Sequence, residues 1–567
     1  MRSVFTRSIY GLLFAAVVFA LTFPAPVMAQ QLPPSVEPGV IQKQLEQPEL
    51  PKAAPPIDIP DIGQSTPPPG AGEVRFVLTD LLVIDSTVYT EEELRPIWEG
   101  LLNQEITLTQ FYEIAAAITI KYRNDGYILS RALVPPQEII DGIAEIEVIE
   151  GYIDNVVIEG EPSGPMSQID DKVQAILDSQ PLHSDVLERN LLLLNDLPGV
   201  IAQSILRPSI TTPGASELVI VLEESTFSGA ASVNNRGSRF LGPYQAGLSV
   251  RADNLLGLYE STELEVVGTA QISELKFAAL THTQQLNSDG TTLTVIGSLT
   301  DTEPGSTLDV LNIEGRSEAV TLTVSHPMIR SRRQNLSLVG GFDYRNSETK
   351  ILGVTSSEDR IRSVFVGGTY DFIDEFRGIT LLGAELRQGI DILDATETGS
   401  DNLSRANGRS DYTKLVASVR RKQTLAPGWS LSAAVTGQYA FSQLLASEEC
   451  GLGGEEYGSA YDPFEISGDH CLAARFELQY GDASELEYID SFELYGFTDV
   501  GAVWQIDNND RDNRQSLASI GVGARANLIE DFWGSLEFAV PMTRSPTVDR
   551  DDGDKKPRLF FSIIKRF

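Results

Sequence analysis

From Phe227 to Phe567 the chain alternates apolar and polar side chains repeatedly, with turn residues between the runs. Successive side chains of a strand point to opposite faces. Leu336, Leu338, Gly340, Phe342 and Tyr344 thus share one face, and Ser337, Val339, Gly341 and Asp343 the other. Leu431, Ala433, Val435, Gly437 and Tyr439 repeat the pattern, as do Phe532, Gly534, Leu536, Phe538 and Val540. One face suits lipid and the other water, the signature of a transmembrane β-barrel. A soluble sandwich with one wet face would alternate in the same way, but the number of strands argues against it. About 16 strands are expected, an even count with alternating short and long connections. They begin near Ser228, Gln245, Thr262, Glu274, Thr291, Ser317, Leu336, Arg360, Gly378, Tyr412, Trp429, Cys471, Phe492, Leu517, Phe532 and Arg558. That number encloses an aqueous lumen.

The rest of the chain agrees with a barrel. Arg2 and Arg7 precede an apolar run from Ile9 to Phe23, and Val27-Met28-Ala29 offers a cleavage site. Residues 1–29 therefore read as a secretory signal peptide cut before Gln30. The alternative, an anchoring helix, needs about 20 apolar residues, more than this run supplies. No other stretch is apolar enough for a membrane helix, and a closed barrel is then the remaining way to satisfy every backbone polar group in lipid. At the other end, Pro557 to Phe567 reads PRLFFSIIKRF. Leu559, Phe561, Ile563 and Phe567 fall on one face, and Lys565 interrupts it. A terminal aromatic on such a strand resembles the signal that outer-membrane barrels present to their assembly machinery. It makes Phe561, Ile563 and Phe567 the candidate signal residues, and it makes outer-membrane lipid and that machinery the expected partners.

The net charge is −37, or −39 without Arg2 and Arg7. Nucleic acid is excluded as a partner, since phosphate binding needs a basic face. The two cysteines, Cys450 and Cys471, are too few for a disulfide scaffold and lack metal-site spacing. The chain has no Walker loop, HExxH or nucleophile elbow, so no enzyme, cofactor or metal is expected.

Residues 30–73 are rich in proline and glutamine and read as a linker, with one short helix from about Gly39 to Glu46. Residues 74–150 change character. A strand from Phe76 to Ile84 precedes a helix capped by Thr90 and Glu93 and carrying Leu94, Ile97, Trp98 and Leu101. Thr107 and Gln110 cap a second helix, whose stripe is Leu108, Phe111, Tyr112, Ala115, Ile118 and Tyr122. Gly126 ends it, and strands Tyr127–Val134 and Ala144–Ile149 follow. Residues 151–226 repeat the order: a strand Ile153–Ile158, a helix with Ile169, Val173, Ile176 and Leu177 on one side, a helix capped by Ser184, and strands Val200–Pro208 and Leu218–Glu223. Two β-α-α-β-β units in tandem are an internal architectural repeat.

These residues carry a family resemblance. YRNDGYILSRALVPPQEIIDGIAEIEVIEGYIDNVVIEG (122–160) resembles the first POTRA domain of two-partner secretion transporters, the haemolysin secretion/activation proteins of the Omp85 superfamily. LHSDVLERNLLLLNDLPGVIAQSILRPSITTPGASELVIVLEE (182–224) resembles the second. The resemblance implies two periplasmic POTRA domains before a 16-stranded barrel at 227–567, exporting one large partner polypeptide such as an adhesin or haemolysin. It implies that the partner binds by adding a strand to an exposed sheet edge. Two rivals remain. A barrel-assembly factor of the same superfamily usually carries more POTRA units, and in a small-solute porin the periplasmic arm would have no purpose.

The resemblance also points to a site. The longest connection within the barrel, about Ser442 to His470, corresponds to a family loop that folds back into the lumen. Its tip normally carries arginine, then glycine and tyrosine. Here it reads Gly458-Ser459-Ala460-Tyr461-Asp462-Pro463, followed by Ile466-Ser467-Gly468-Asp469, with Ser459 where the arginine is expected. Phe497-Thr498-Asp499-Val500-Gly501 on the thirteenth strand matches the family motif whose aspartate holds that arginine. Alternation from Phe492 and Leu494, which face lipid, points Phe497 and Asp499 inward. Without the arginine, hydrogen bonds from Ser459 or Tyr461 are expected to substitute, less strongly. Cys450 lies in the loop and Cys471 just beyond it, in an oxidising compartment. A disulfide is therefore expected, and two unrelated buried thiols are the alternative. Such a bridge stabilises by roughly 3 kcal/mol.

Overall fold

The computed structural model describes residues 33–45, 66–212, 214–483, 486–506, 513–544 and 555–567. The signal peptide and most of the 30–73 linker lie outside the described residues. Within that linker, a 3-10 turn (Pro34–Val36) leads into helix α1 (Pro38–Leu45), close to the expected Gly39–Glu46. Val36, Val40, Ile41 and Gln42 are buried, which an isolated eight-residue helix could not achieve.

The first α/β unit contains β1 (Arg75–Leu78), β2 (Asp80–Ile84), α2 (Glu91–Leu94), β3 (Gln104–Thr107), α3 (Leu108–Asn124), β4 (Arg131–Leu133) and β5 (Ile143–Ile149). Its main sheet has the order β2-β5-β4, and β1 pairs with β3. The capping box at α3 is formed: Gln110 N donates to Thr107 Oγ1 at 3.2 Å, and Thr107 N to Gln110 Oε1 at 2.9 Å. Phe111, Ala115, Ile118 and Tyr122 from the expected stripe are buried, joined by Ile114.

This unit differs from expectation in several elements. The strand expected over Phe76–Ile84 is divided at Thr79 into β1 and β2, which pair in different sheets, and β3 is an additional strand. The first helix is one α-turn followed by 3-10 turns at Arg95–Ile97 and Glu99–Leu101. Pro96 supplies no amide and Gly100 is a poor helix former, so the α-ladder stops. The strand expected over Tyr127–Val134 is confined to β4. Leu129 turns away and enters the core of the second unit. Gly151 admits it, since a Cβ there would lie 2.4 Å from Leu129 O.

The second unit comprises β6 (Ile153–Glu159), α4 (Met166–Leu177), α5 (Ser184–Asn195), β7 (Val200–Pro208) and β8 (Ser216–Glu224), with sheet order β6-β8-β7. Ile169, Ile176, Leu187, Leu191 and Leu194 pack over that sheet. The cap of α5 is His183 rather than Ser184, with His183 Nδ1 accepting from Asp185 N at 3.2 Å.

The remaining strands are β9 (Phe227–Asn234), β10 (Gln245–Asp253), β11 (Glu260–Thr269), β12 (Leu275–Gln285), β13 (Thr292–Thr302), β14 (Ile313–Arg330), β15 (Gln334–Ile351) and β16 (Val354–Ile373). Then follow β17 (Gly378–Gly389), β18 (Thr413–Ala426), β19 (Trp429–Ala440), β20 (Cys450–Leu452), β21 (Ile466–Gly468), β22 (His470–Ala483), β23 (Ile489–Trp504), β24 (Arg514–Leu528), β25 (Phe532–Pro541) and β26 (Arg558–Arg566). All but β20 and β21 form one closed antiparallel barrel, 16 strands in sequence order, with β26 returning to β9. Leu338 and Leu536 face outward at 48% and 55% exposure, whereas Asp343 and Glu537 face inward at 2% and 3%. β14 to β16 outrun the roughly 9–11 residues needed to span a bilayer, so β16 starts at Val354, before the expected Arg360.

Phe567 completes the closure. Its amide donates to Gly229 O at 3.0 Å and its carbonyl accepts from Gly229 N at 2.9 Å. Lys565, the interruption in the terminal apolar face, reaches back to Glu530 O and lies over the Phe532 ring. At the arm end of the barrel, Asp196 at the end of α5 accepts two hydrogen bonds from Arg330, both at 2.8 Å. Tyr259, from the β10–β11 turn, is buried in the second unit's core.

Candidate functional site: the plugged lumen

Among the described residues, two segments occupy the lumen. The first is α1, which packs on β13, β14 and β15. Gln42 donates to Ser298 Oγ at 2.6 Å and accepts from Arg345 Nη1 at 2.7 Å and from Ser317 Oγ. Ile41 packs with Leu241 and Leu275. Lys43 pairs with Glu448 of the second segment, so the two segments touch.

The second segment is residues 441–469, between β19 and β22. Its base is anchored at several points. β20 and β21 form a short antiparallel ladder, Cys450↔Gly468 to Leu452↔Ile466. A disulfide joins Cys450 to Cys471 on β22, with Cα atoms 6.1 Å apart. Asp469 is fully buried. Its Oδ1 accepts from Arg405 Nη1 at 2.7 Å and from Leu444 N at 2.7 Å. Its Oδ2 accepts from Arg405 Nη2 at 3.1 Å and from Ile506 N at 2.8 Å. Glu448 pairs with Lys414 at 2.9 Å. Gly468 and Gly501 have no side chain because backbone and loop press against them. A Cβ on Gly468 would lie 2.9 Å from Trp504 O, and one on Gly501 would lie 2.5 Å from Leu452 Cδ1.

The tip begins at Gly453, whose φ of +121° and 2.1 Å virtual Cβ approach to Asp462 O admit only glycine. Ser459 reaches Asp499 through its backbone, N to Oδ2 at 3.2 Å. Asp499 also accepts from Ser519 Oγ. Of the two expected donors to Asp499, Ser459 is the one that reaches it, and Tyr461 bonds elsewhere. Its hydroxyl donates to Ala518 O at 3.1 Å, one strand further on. Asp462 pairs with Arg558 at 2.7 Å and accepts from Arg239 N at 3.2 Å. Pro463 lies across from Gly454. Phe497 and Asp499 point inward, at 4% and 1% exposure, and the Phe497 ring rests on Gly521. Phe561 and Ile563 lie on β26, and Phe561 N donates to Asn235 Oδ1 at 2.7 Å across the closing seam.

The missing tip arginine leaves no vacancy, because Arg475 of β22 fills it from the wall. Arg475 Nη1 lies 3.5 Å from Asp499 Oδ2 and donates to Ser459 Oγ. An ion pair therefore forms at Asp499 after all, from a different element. Sequence reasoning overlooked Arg475, although the outward Leu472, Phe476 and Leu478 already imply that it points inward. Arg405 and the α1 contacts carry no local signal, since their partners are distant in sequence.

A 16-stranded barrel with an α/β arm, and with its own loop and helix packed inside it, defines the class as an outer-membrane transporter. The family model described as haemolysin secretion/activation protein ShlB/FhaC/HecB matches residues 214–526, and the one described as POTRA domain, ShlB-type, matches residues 76–151. The chain belongs to the haemolysin secretion/activation family. Among its relatives, the heme/hemopexin transporter protein HuxB of Haemophilus influenzae (strain 86-028NP) is 24% identical over 87% of this chain and 88% of that protein. The outer membrane transporter CdiB of Dickeya dadantii is 21% identical over 82% of each. The solved structure of CdiB from Escherichia coli shares the fold with a TM-score of 0.70 at 19% identity, covering 94% of this chain and 96% of that one. CdiB from Acinetobacter baumannii gives 0.61 at 16% identity, covering 93% and 96%. The protein is thus a two-partner secretion transporter of the outer membrane, with its POTRA arm in the periplasm, and it exports a large partner polypeptide.

Proposed function

We propose that export proceeds when α1 and the loop tip, residues 453–465, withdraw from the lumen while the stapled base of the loop stays in place. The observation that carries this reading is the nature of the contacts. α1 and the tip are held by noncovalent contacts alone: hydrogen bonds and ion pairs, which water replaces at modest net cost, and apolar packing of Ile41, Ala460 and Tyr461. The base has in addition a disulfide and a fully buried carboxylate. Ser459, Tyr461, Asp462 and Pro463 are then residues of the moving part, Gly468 and Asp469 residues of the anchor, and Phe497, Asp499 and Gly501 the wall they meet. The outward apolar band contacts outer-membrane lipid, and Phe561, Ile563 and Phe567 present the strand read by the assembly machinery.

The experiment deletes the gene in its host and compares surface and periplasmic proteins. One large polypeptide should vanish from the surface and return with the wild-type gene. With Asp499→Ala, its export rate should change while barrel insertion does not. An unchanged surface proteome on deletion would overturn the export reading. An unaltered export rate in Asp499→Ala would overturn the site assignment.

A further inference from the structure

We infer that Arg475, a residue of the barrel wall, positions the loop tip at Asp499 and supplies the cation there that the tip itself lacks. This rests on the reading of the tip as a removable gate. Arg475 stands between loop and wall. On the loop side its Nη1 donates to Ser459 Oγ at 2.5 Å and to Glu455 O at 3.2 Å. On the wall side the same nitrogen lies 3.5 Å from Asp499, and Nη2 lies 3.0 Å from Glu477 and 3.4 Å from Glu537.

Its plane is fixed from below. The guanidinium carbon sits 4.1 Å from the Phe497 ring centre, and that ring fills the space above Gly521, where a Cβ would lie 2.5 Å from Phe497 Cζ. A planar fork held over an aromatic face can direct several N–H groups at once, which a lysine ammonium cannot do in the same geometry. The neighbouring acids have other partners as well. Glu477 pairs with Arg525 at 2.9 Å and Glu537 with Arg236 at 3.0 Å. Arg475 can therefore keep its wall partners whether the tip is docked or gone. It acts as a preformed socket, and Ser459 and the Glu455 carbonyl are what enter it.

Ser459 and its hydroxyl sit fully buried beside this guanidinium. A second arginine at 459 would thus meet Arg475, and it would restore a lock only if Arg475 were removed. The two positions should exchange their roles.

The test uses the full chain in planar bilayers and vesicles, carrying Ala460→Cys as a reporter. The rate at which a bulky maleimide reacts with that thiol measures tip release. Arg475→Ser should raise the rate on the order of ten- to hundredfold, the loss of hydrogen bonds to a charged group. Arg475→Lys should raise it less. Ser459→Arg alone should also raise it, and the double variant Arg475→Ser with Ser459→Arg should return it to within a few-fold of the parent. If Arg475→Ser does not insert, the Arg475→Lys rate decides. Unchanged labelling in Arg475→Ser or, failing insertion, in Arg475→Lys overturns the inference, as does a double variant whose rate is the product of the two singles. Asp499→Asn separates the two readings. Unchanged labelling there removes the gate site itself, whereas a raised rate in Asp499→Asn beside an unchanged one in Arg475→Ser removes only the role of Arg475.

Discussion

Replacing Asp469 by alanine should free the base of the loop. The carboxylate accepts hydrogen bonds from Arg405 Nη1 and Nη2 and from the amides of Leu444 and Ile506, at 2.7 to 3.1 Å. Alanine leaves both amides without a protein acceptor and leaves Arg405 with Glu449, 3.1 Å away. Breaking a buried pair by removing one partner costs about 3–5 kcal/mol. Water at the outer mouth of the barrel can re-solvate part of this, so the lower figure is the better expectation. The Cys450–Cys471 bridge tethers the same segment, and its entropic contribution is roughly 3 kcal/mol. Asp469→Ala in the oxidised protein should therefore raise open-channel events on the order of a hundredfold, and reduction with dithiothreitol should raise them further. The assay is single-channel recording in planar bilayers before and after reduction. Unchanged open probability under both conditions would refute the argument, because it would mean that the base bears none of the load assigned to it.

Deleting Phe567 removes both hydrogen bonds to Gly229 at the barrel seam, and cell fractionation should find the chain in the periplasm; normal outer-membrane levels would contradict this. Cys450→Ser combined with Cys471→Ser should lower the temperature at which the loop becomes protease-sensitive, and alkylation of denatured, unreduced wild type should detect no free thiol. Removing residues 74–225 should abolish export while the barrel still inserts and conducts, and undiminished export would place partner recognition elsewhere.

The barrel was legible because its signal is local. Leu336, Leu338 and Phe342 declare an outward face regardless of what surrounds them, and each of the 16 strands begins within six residues of where alternation puts it. The sense of Phe497 and Asp499 followed from the same period. Departures arose wherever a neighbour distant in sequence decided the outcome. Leu129 left its own unit for the core of the next, which shortened β4. α1 is eight residues with ordinary helix signals, and nothing in Pro38–Leu45 says that Ser298, Ser317 and Arg345 await Gln42. At the tip, a motif position held serine instead of arginine, and reading along the motif suggested a weaker bond from Ser459 or Tyr461. The cation had moved to β22, sixteen positions along the chain from Ser459 but within hydrogen-bond reach of it. The cap of α5 failed by one residue because His183 Nδ1 can accept an amide as a serine hydroxyl does.

The most direct measurement places a photo-crosslinking residue at single positions of the barrel while the exported polypeptide is stalled in passage by a folded C-terminal fusion. Inward positions Asp343 and Arg387, which lie 4.0 Å apart beside the lumen path, should crosslink to that polypeptide, and outward Leu338 and Leu536 should not. Crosslinks should weaken when Cys450–Cys471 is intact and the tip is held shut by an added disulfide across Ser459 and Ser519. Crosslinks from the outward positions, or none from the inward ones during active export, would contradict passage through the lumen.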